Sequence, residues 1–339
     1  MKTKTIQIDP ANPDPAALAQ AGDILRRGGL VAFPTETVYG LGANALDSAA
    51  AAGIFAAKGR PPNNPLIVHV ADVRQAKRLA AAWPDAADRL SAHFWPGPLS
   101  LVLAKCPEVP QVVTAGGETV ALRCPAHAVA LGLIAAAGVP IAAPSANRST
   151  GISATRAEHV LTSLEGRIDL LLDAGPTPGG LESTVIDLAV SPARLLRPGL
   201  VTPREVEAVI GGIEASPGAV DEPANAGVPR SPGMTERHYA PNTPLECGHD
   251  TRLRVSELCR QGRRVGWLTL TPPPVQPPAG LYPLEMPADA TGYSAALYAA
   301  LHTLDALRLD QIVVELPPLG NDWLAVHDRL RRAAARTEE

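Results

Sequence analysis

Five stretches of this sequence place cations, hydroxyls and amides where apolar runs stop. "KGRPPNNPLIVHV" carries Lys58 and Arg60 at a helix end, then Asn64, then His69 inside a strand. "VALRCP" holds Arg123, and "VPIAAPSANRS" ends in Ser145, Asn147 and Ser149. "GGLESTVIDL" offers Glu182, Ser183 and Thr184, and "LLRPG" adds Arg197. In α/β proteins a strand end followed by a helix start gathers backbone N–H groups and short polar side chains around a ligand. Together these groups could hold an anion combining phosphate and carboxylate chemistry.

Each stretch also has a plain reading. Cations suit a helix C-terminus because of the macrodipole, and a histidine in a strand is commonly a core residue. Arg123, flanked by Leu122 and Cys124 on an alternating strand, points inward and therefore needs an anion. A structural carboxylate and a substrate carboxylate gripped bidentately answer that need equally well. "FPTETVYGLGANA" reads equally as an ordinary polar turn and as backbone that approaches a ligand. Neither G-x-x-x-x-G-K-[ST] nor G-x-G-x-x-G occurs, and H-E-x-x-H, an EF-hand loop and G-x-S-x-G are absent too. These absences count against the common nucleotide loops, zincins, calcium sites and α/β-hydrolases, and no metal-ligating set is expected. The residues alone do not name a reaction.

The elements that must position these groups alternate. "DPAALAQAGDILRRGG" predicts a helix, with Asp14 as N-cap, proline in the first helical position, Leu18, Ala21 and Leu25 on one face, and a glycine stop. Strands follow at "LVAFP", "PLIVHV", "LSLVLA", "TVALRC", "VPIAAP", "DLLLD", "STVIDL" and "ARLLRP", interleaved with helices at "SAAAAGIFAAKG" and "DAADRLSAHF". Thr155 with Glu158, and Thr202 with Glu205, have the capping-box spacing and predict two more helix starts. Neighbouring strands without intervening helices indicate a mixed sheet. Residues 214–244, rich in proline, glycine and alanine, read as a linker, and residues 245–339 as a second, smaller α/β domain.

A chain of 339 residues exceeds what one core usually serves, in line with two domains. Its formal net charge of −4 argues against a protein held to nucleic acid by bulk charge. Cys106, Cys124, Cys247 and Cys259 form neither a C-x-x-C pair nor a regular framework, which suits reduced thiols in the cytoplasm. The N-terminus lacks a signal-peptide core, and no apolar run approaches the roughly 20 residues that span a bilayer, so no membrane association is expected.

In order along the chain, "PTETVYGLG", "KGRPPNNPLIVHV", "WPGPLSLVL", "ALRCP", "APSANRS", "GGLESTVID", "LLRPG" and "SPGMTERHYAP" resemble the Sua5/YrdC family, the threonylcarbamoyl-AMP synthases. The resemblance covers nearly the whole chain. It implies a YrdC-like mixed, twisted sheet domain over residues 1–213 and a smaller, Rossmann-like α/β Sua5 domain over 245–339, joined by the linker. It also implies the reaction: L-threonine and bicarbonate form a carbamate, which attacks the α-phosphate of ATP to give threonylcarbamoyl-adenylate and pyrophosphate. Magnesium would accompany ATP. Partner enzymes would pass the threonylcarbamoyl group to adenosine 37 of tRNA, making t6A, with at most a weak tRNA contact to this chain.

Carried over by motif, Thr37, His69, Arg123 and Ser183 would hold threonine, with a backbone contact from Ala143. Arg60, Asn64, Thr119, Ser145, Asn147, Ser153 and Arg197 would surround ATP. Lys58 and Arg60 would act at the triphosphate or carbamate. "SPGMTERHYAP" would form a lid reaching the nucleotide through Ser231, Arg237 and Tyr239. Ser100 stands where the family usually has threonine, and Thr235 and Glu236 replace a common lysine–tyrosine pair. The family's relatives that handle carbamoyl-adenylate carry acylphosphatase and zinc-finger modules, which this sequence lacks.

Overall fold

A computed structural model describes residues 2–215 and 238–335. The described residues form two compact units: one of residues 2–149, 153–178 and 182–215, the other of 150–152, 179–181 and 238–335. In chain order the first unit contains β1 (Lys4–Gln7), α1 (Pro15–Arg26), β2 (Val31–Phe33), β3 (Gly40–Asn44), α2 (Ser48–Lys58), β4 (Ile67–His69), α3 (Val73–Leu79), α4 (Asp85–Phe94) and β5 (Leu99–Ala104). It continues with β6 (Thr119–Arg123), α5 (Ala128–Ala137), β7 (Ile141–Ala142), α6 (Ala157–Leu164), β8 (Leu170–Asp173), β9 (Thr184–Asp187), β10 (Arg194–Arg197), α7 (Pro203–Ile210) and β11 (Glu214–Ala215).

Local chemistry accounts for most of these boundaries. Asp14 accepts a hydrogen bond from the Ala16 N–H at 3.0 Å, and proline opens α1, as the sequence predicts. The Thr202–Glu205 capping box is complete, with both reciprocal bonds present. The Thr155–Glu158 box does not form. There α6 starts at Ala157 without a side-chain cap, because Thr155 instead donates its N–H to Nδ1 of His159 at 3.3 Å.

"GLGAN", expected as a turn, is strand β3, antiparallel to β2. A Cβ at Gly42 would fall 2.8 Å from both Ile141 and Phe33, so that glycine answers to a lack of room. The expected linker opens with β11, which pairs in parallel with β10.

The strands run in the order β1-β8-β2-β3-β7-β4-β6-β5-β9-β10-β11. Parallel pairs (β1/β8, β8/β2, β4/β6, β5/β9) are mixed with antiparallel ones (β2/β3, β3/β7, β7/β4, β6/β5, β9/β10). One face carries the main core, where α2, α3, α4, α6 and α7 contribute residues such as Ile54, Leu79, Leu90, Val160 and Val206. On the other face α1 and α5 cover β2, β7 and β8. Beyond them, Ile67, Val102, Ala121, Val185 and Leu196 form a small apolar patch made of strand residues alone. That patch is the floor of the candidate site.

The second unit holds β12 (Leu245–Gly248), α8 (Thr251–Arg260), β13 (Val265–Thr269), β14 (Leu281–Glu285), α9 (Ala290–Ala306), β15 (Gln311–Glu315) and α10 (Leu324–Ala334). Its strands are all parallel, in the order β12-β15-β13-β14. Val255 and Leu258 of α8 pack on Val265, Trp267 and Val313 of one face. On the other face, Gly266 leaves space for Leu304 of α9. Among the described residues no helix is long and apolar enough to cross a membrane.

Candidate active site

Side chains alternate along a strand, so the residues two removed from the apolar floor share its face. His69 follows Ile67, Thr119 and Arg123 flank Ala121, Ser100 precedes Val102, and Ser183 precedes Val185. The intervening Val68, Leu101, Leu103, Val120, Leu122 and Ile186 enter the main core instead. Register then sets neighbours: His69 pairs with Arg123 across β4 and β6, and Leu101 pairs with Leu122, one step from Ser100 and Arg123.

At the Arg123 end, the guanidinium is buried and donates from Nε to the Gly97 carbonyl at 3.3 Å and from Nη2 to Thr37 Oγ1 at 3.0 Å. Nη2 also lies 2.6 Å from Glu36 Oε1. The anion that an inward arginine requires is therefore present within the chain. His69 is buried with its ring edge-on to Phe33 at 6.2 Å, and its Nδ1 makes no hydrogen bond. Burial first, and the Arg123 charge second, push its pKa down to about 3, against a weaker pull upward from the Ile67 and Ile141 carbonyls. The ring is thus neutral at physiological pH. Ser183 Oγ is 2.8 Å from Ser100 Oγ and accepts from Arg197 Nη2 at 3.2 Å, while Arg197 also donates twice to the Ser183 carbonyl. Ala143 follows β7, with its N–H bound to the Ile67 carbonyl.

The second cluster gathers where α2 ends and β7 runs out. Gly59 adopts φ 63°, a left-handed cap that reverses the chain between Lys58 and Arg60. Lys58 Nζ donates to the Ser145 carbonyl at 2.5 Å and to the Asn147 carbonyl, with Asn147 Oδ1 at 3.5 Å. These acceptors are neutral. Burial, then the Arg60 and Arg148 charges, hold the Lys58 pKa well below its usual value, and Glu182 only partly offsets them. Arg60 donates to the Asn64 carbonyl (3.1 Å), to Asn64 Oδ1 (2.5 Å) and to the Pro65 carbonyl (2.8 Å). Ser153 donates to Glu182 Oε1 at 2.5 Å. Thr119 opens β6 opposite Ala104 of β5, roughly 13 Å of strand from Arg123.

The structure thus brings Thr37, His69, Arg123 and Ser183 to one floor, and Lys58, Arg60, Asn64, Ser145 and Asn147 to the loops beside it. Tyr239 belongs to the second unit, where it is buried, stacks on Tyr298 at 5.8 Å and lies under the Arg329 guanidinium. Ser231, Arg237 and most of the expected lid motif lie outside the described residues. Sequence reasoning passed over Glu36. Its signal was a carboxylate between two threonines directly after a buried strand. Among the described residues, no three His, Cys, Asp or Glu side chains group as a metal site.

Comparison with known proteins accords with this architecture. A family profile described as "Telomere recombination" matches residues 23–199, and one described as "Threonylcarbamoyl-AMP synthase, C-terminal domain" matches residues 201–335. The chain is 44% identical over 349 residues to a threonylcarbamoyl-AMP synthase of Bacillus subtilis, covering 98% of each protein. It is 43% identical over 330 residues to one from Pyrococcus abyssi, covering 93% of each. The crystal structure of P. abyssi Sua5 complexed with L-threonine superposes with a TM-score of 0.89 at 40% identity, covering 98% of both chains.

Proposed function

The chain belongs to the Sua5/YrdC family of threonylcarbamoyl-AMP synthases, and on that premise we propose how its own residues divide the work of making threonylcarbamoyl-AMP from L-threonine, bicarbonate and MgATP. The observation that carries the nucleotide half is the buried Lys58 amine, which donates to neutral carbonyls and whose charged form is disfavoured by burial and by two neighbouring arginine charges. Such a group gains from an anion. A phosphate beside Lys58 and Arg60 relieves the repulsion and is itself stabilised in a site of low dielectric.

L-Threonine occupies the Arg123 floor. Arg123 has spent Nε and Nη2 within the chain, and Nη1 is left to meet the substrate carboxylate. Thr37 and Ser183 supply hydroxyls, and His69 adds a neutral ring beside Arg123. A relative that crystallises with L-threonine supports this half. The amine joins bicarbonate with loss of water to give a carbamate. A carbamate oxygen then attacks the α-phosphorus, the bond to the bridging oxygen breaks, and pyrophosphate leaves.

No side-chain nucleophile is needed, so positioning and charge stabilisation dominate. Arg60, Asn64, Thr119, Ser145, Asn147, Ser153 and Arg197 line the nucleotide side, and magnesium enters with the phosphates of ATP. The product passes to the t6A transfer enzymes acting on tRNA. The four cysteines are free thiols, which suits a cytoplasmic enzyme.

The test is pyrophosphate release from MgATP with threonine and bicarbonate supplied or withheld, coupled to mass detection of the adenylate. Release that requires both supports the proposal. Release that needs neither overturns it.

A further inference from the structure

Glu36 sits in the loop between β2 and β3, inside a turn closed by Thr35. Thr35 Oγ1 accepts from the N–H groups of Thr37 (3.2 Å) and Val38 (3.3 Å) and donates to the Val38 carbonyl at 2.7 Å. This closed turn fixes the backbone on either side of Glu36. Both Glu36 oxygens are buried, and neither accepts a hydrogen bond. Among the described residues it pairs with Arg123, at 2.6 Å from Nη2, whose hydrogen bonds go to Thr37 and Gly97 instead, and the titratable His127 ring and Cys124 thiol are near enough to feel its charge. A buried carboxylate can accept about four hydrogen bonds, and native structures rarely leave such groups without donors. The geometry therefore has acceptor capacity in reserve beside Arg123, the residue proposed to take the threonine carboxylate.

We propose that Glu36 is the proton acceptor that turns the α-ammonium of bound L-threonine into a nucleophilic amine. The proposal rests on the threonine placement above. The α-ammonium lies two bonds from the carboxylate that Arg123 takes, so a ligand held by Arg123 carries its three N–H donors to the vicinity of Glu36. The substrate arrives as an ammonium and cannot attack in that form. One proton passes from nitrogen to a Glu36 oxygen, leaving a neutral amine and a carboxylic acid. The amine then combines with bicarbonate, forming the N–C bond and releasing one water, which yields the carbamate anion. Glu36 returns its proton to solvent before the next turnover. The same carboxylate favours substrates with a cationic amine over hydroxy acids or keto acids of equal size.

The experiment compares the full-length chain with Glu36→Gln and Glu36→Asp. L-Threonine binding is measured by calorimetry without bicarbonate, and pyrophosphate release is measured from about pH 6.5 to about pH 9.5. Glu36→Gln is expected to bind threonine within about fivefold of the native chain yet to lose roughly 100-fold to 1,000-fold in kcat/KM at neutral pH. That deficit shrinks as pH rises and free threonine supplies its own deprotonated amine, and Glu36→Asp, which keeps the carboxylate, recovers part of the rate. Parallel pH profiles for the native chain and Glu36→Gln, or a loss confined to threonine affinity, would reduce Glu36 to a positioning residue for Arg123 and overturn the proposal. Should Glu36→Gln fail to fold, the shift in the pH profile of Glu36→Asp decides instead. If the native chain itself neither binds threonine nor requires it for pyrophosphate release, the substrate assignment fails, separately from the role of Glu36.

Discussion

Replacing Lys58 by methionine keeps the length of the side chain and removes its charge. In the folded chain Nζ bonds the carbonyls of Ser145 and Asn147 and stands among Arg60, Arg148 and Glu182. Two unit charges about 4 Å apart at an effective dielectric of about 20 interact by about 4 kcal/mol. A phosphate charge that develops against Lys58 should lose most of that on substitution, and at about 1.4 kcal/mol per decade the expected fall in kcat/KM for ATP is about 1,000-fold. Stability should move much less. Leaving two buried carbonyls without a donor costs about 1–3 kcal/mol, while removing a buried cation from beside two arginines works in the opposite direction. The assay is steady-state pyrophosphate release with ATP varied at saturating threonine and bicarbonate, alongside denaturant unfolding. A fall of less than about tenfold, or a defect that appears only when threonine is varied, would refute the electrostatic reasoning.

His69 makes a pH prediction. The unfolded chain takes up its proton near pH 6.5 and the folded chain only near pH 3, so between those values the unfolded state binds more protons and stability is lost as the pH is lowered. At 1.36 kcal/mol per unit, the native chain should lose about 3 kcal/mol from this site between about pH 7 and about pH 4.5, and His69→Phe should not; equal slopes in the two unfolding curves would contradict the assignment. Ser100→Ala removes the 2.8 Å partner of the Ser183 hydroxyl and should raise the threonine KM about fivefold with the ATP KM unchanged, at a cost of about 1 kcal/mol. Ser100→Thr, which keeps the hydroxyl, should leave both constants near native values, and a defect as large as that of the alanine variant would show that the hydroxyl is not what matters.

How much of this was legible in the sequence depended on whether the deciding contact was local. Asp14 with Pro15, and Thr202 with Glu205, specify helix starts within a few residues, and both starts appear as read. Thr155 with Glu158 has the same spacing, but a third residue, His159, captures the Thr155 N–H. The glycines of "GLGAN" suggested a turn because the reason for their size, the side chains of Phe33 and Ile141, comes from other strands. Helix α5, "AVALGLIAAA", is apolar all round and so shows no 3.6-residue period, although α1 and the sheet bury one side of it. Alternation correctly turned Arg123 inward while leaving two kinds of anion open. The structure supplies one of them, Glu36, from a strand connection 87 positions earlier, which no local pattern could pair with it.

The proposed division of labour has one sheet face holding threonine at its Arg123 end while the loops beside it hold the nucleotide. Calorimetric binding of L-threonine and of MgATP, each to the native chain, Arg123→Ala and Arg60→Ala, tests it most directly. Arg123→Ala should weaken threonine binding by about 100-fold and leave MgATP within about threefold, with the reverse pattern for Arg60→Ala. Equal losses of both ligands in both variants, or a threonine affinity indifferent to Arg123, would contradict it.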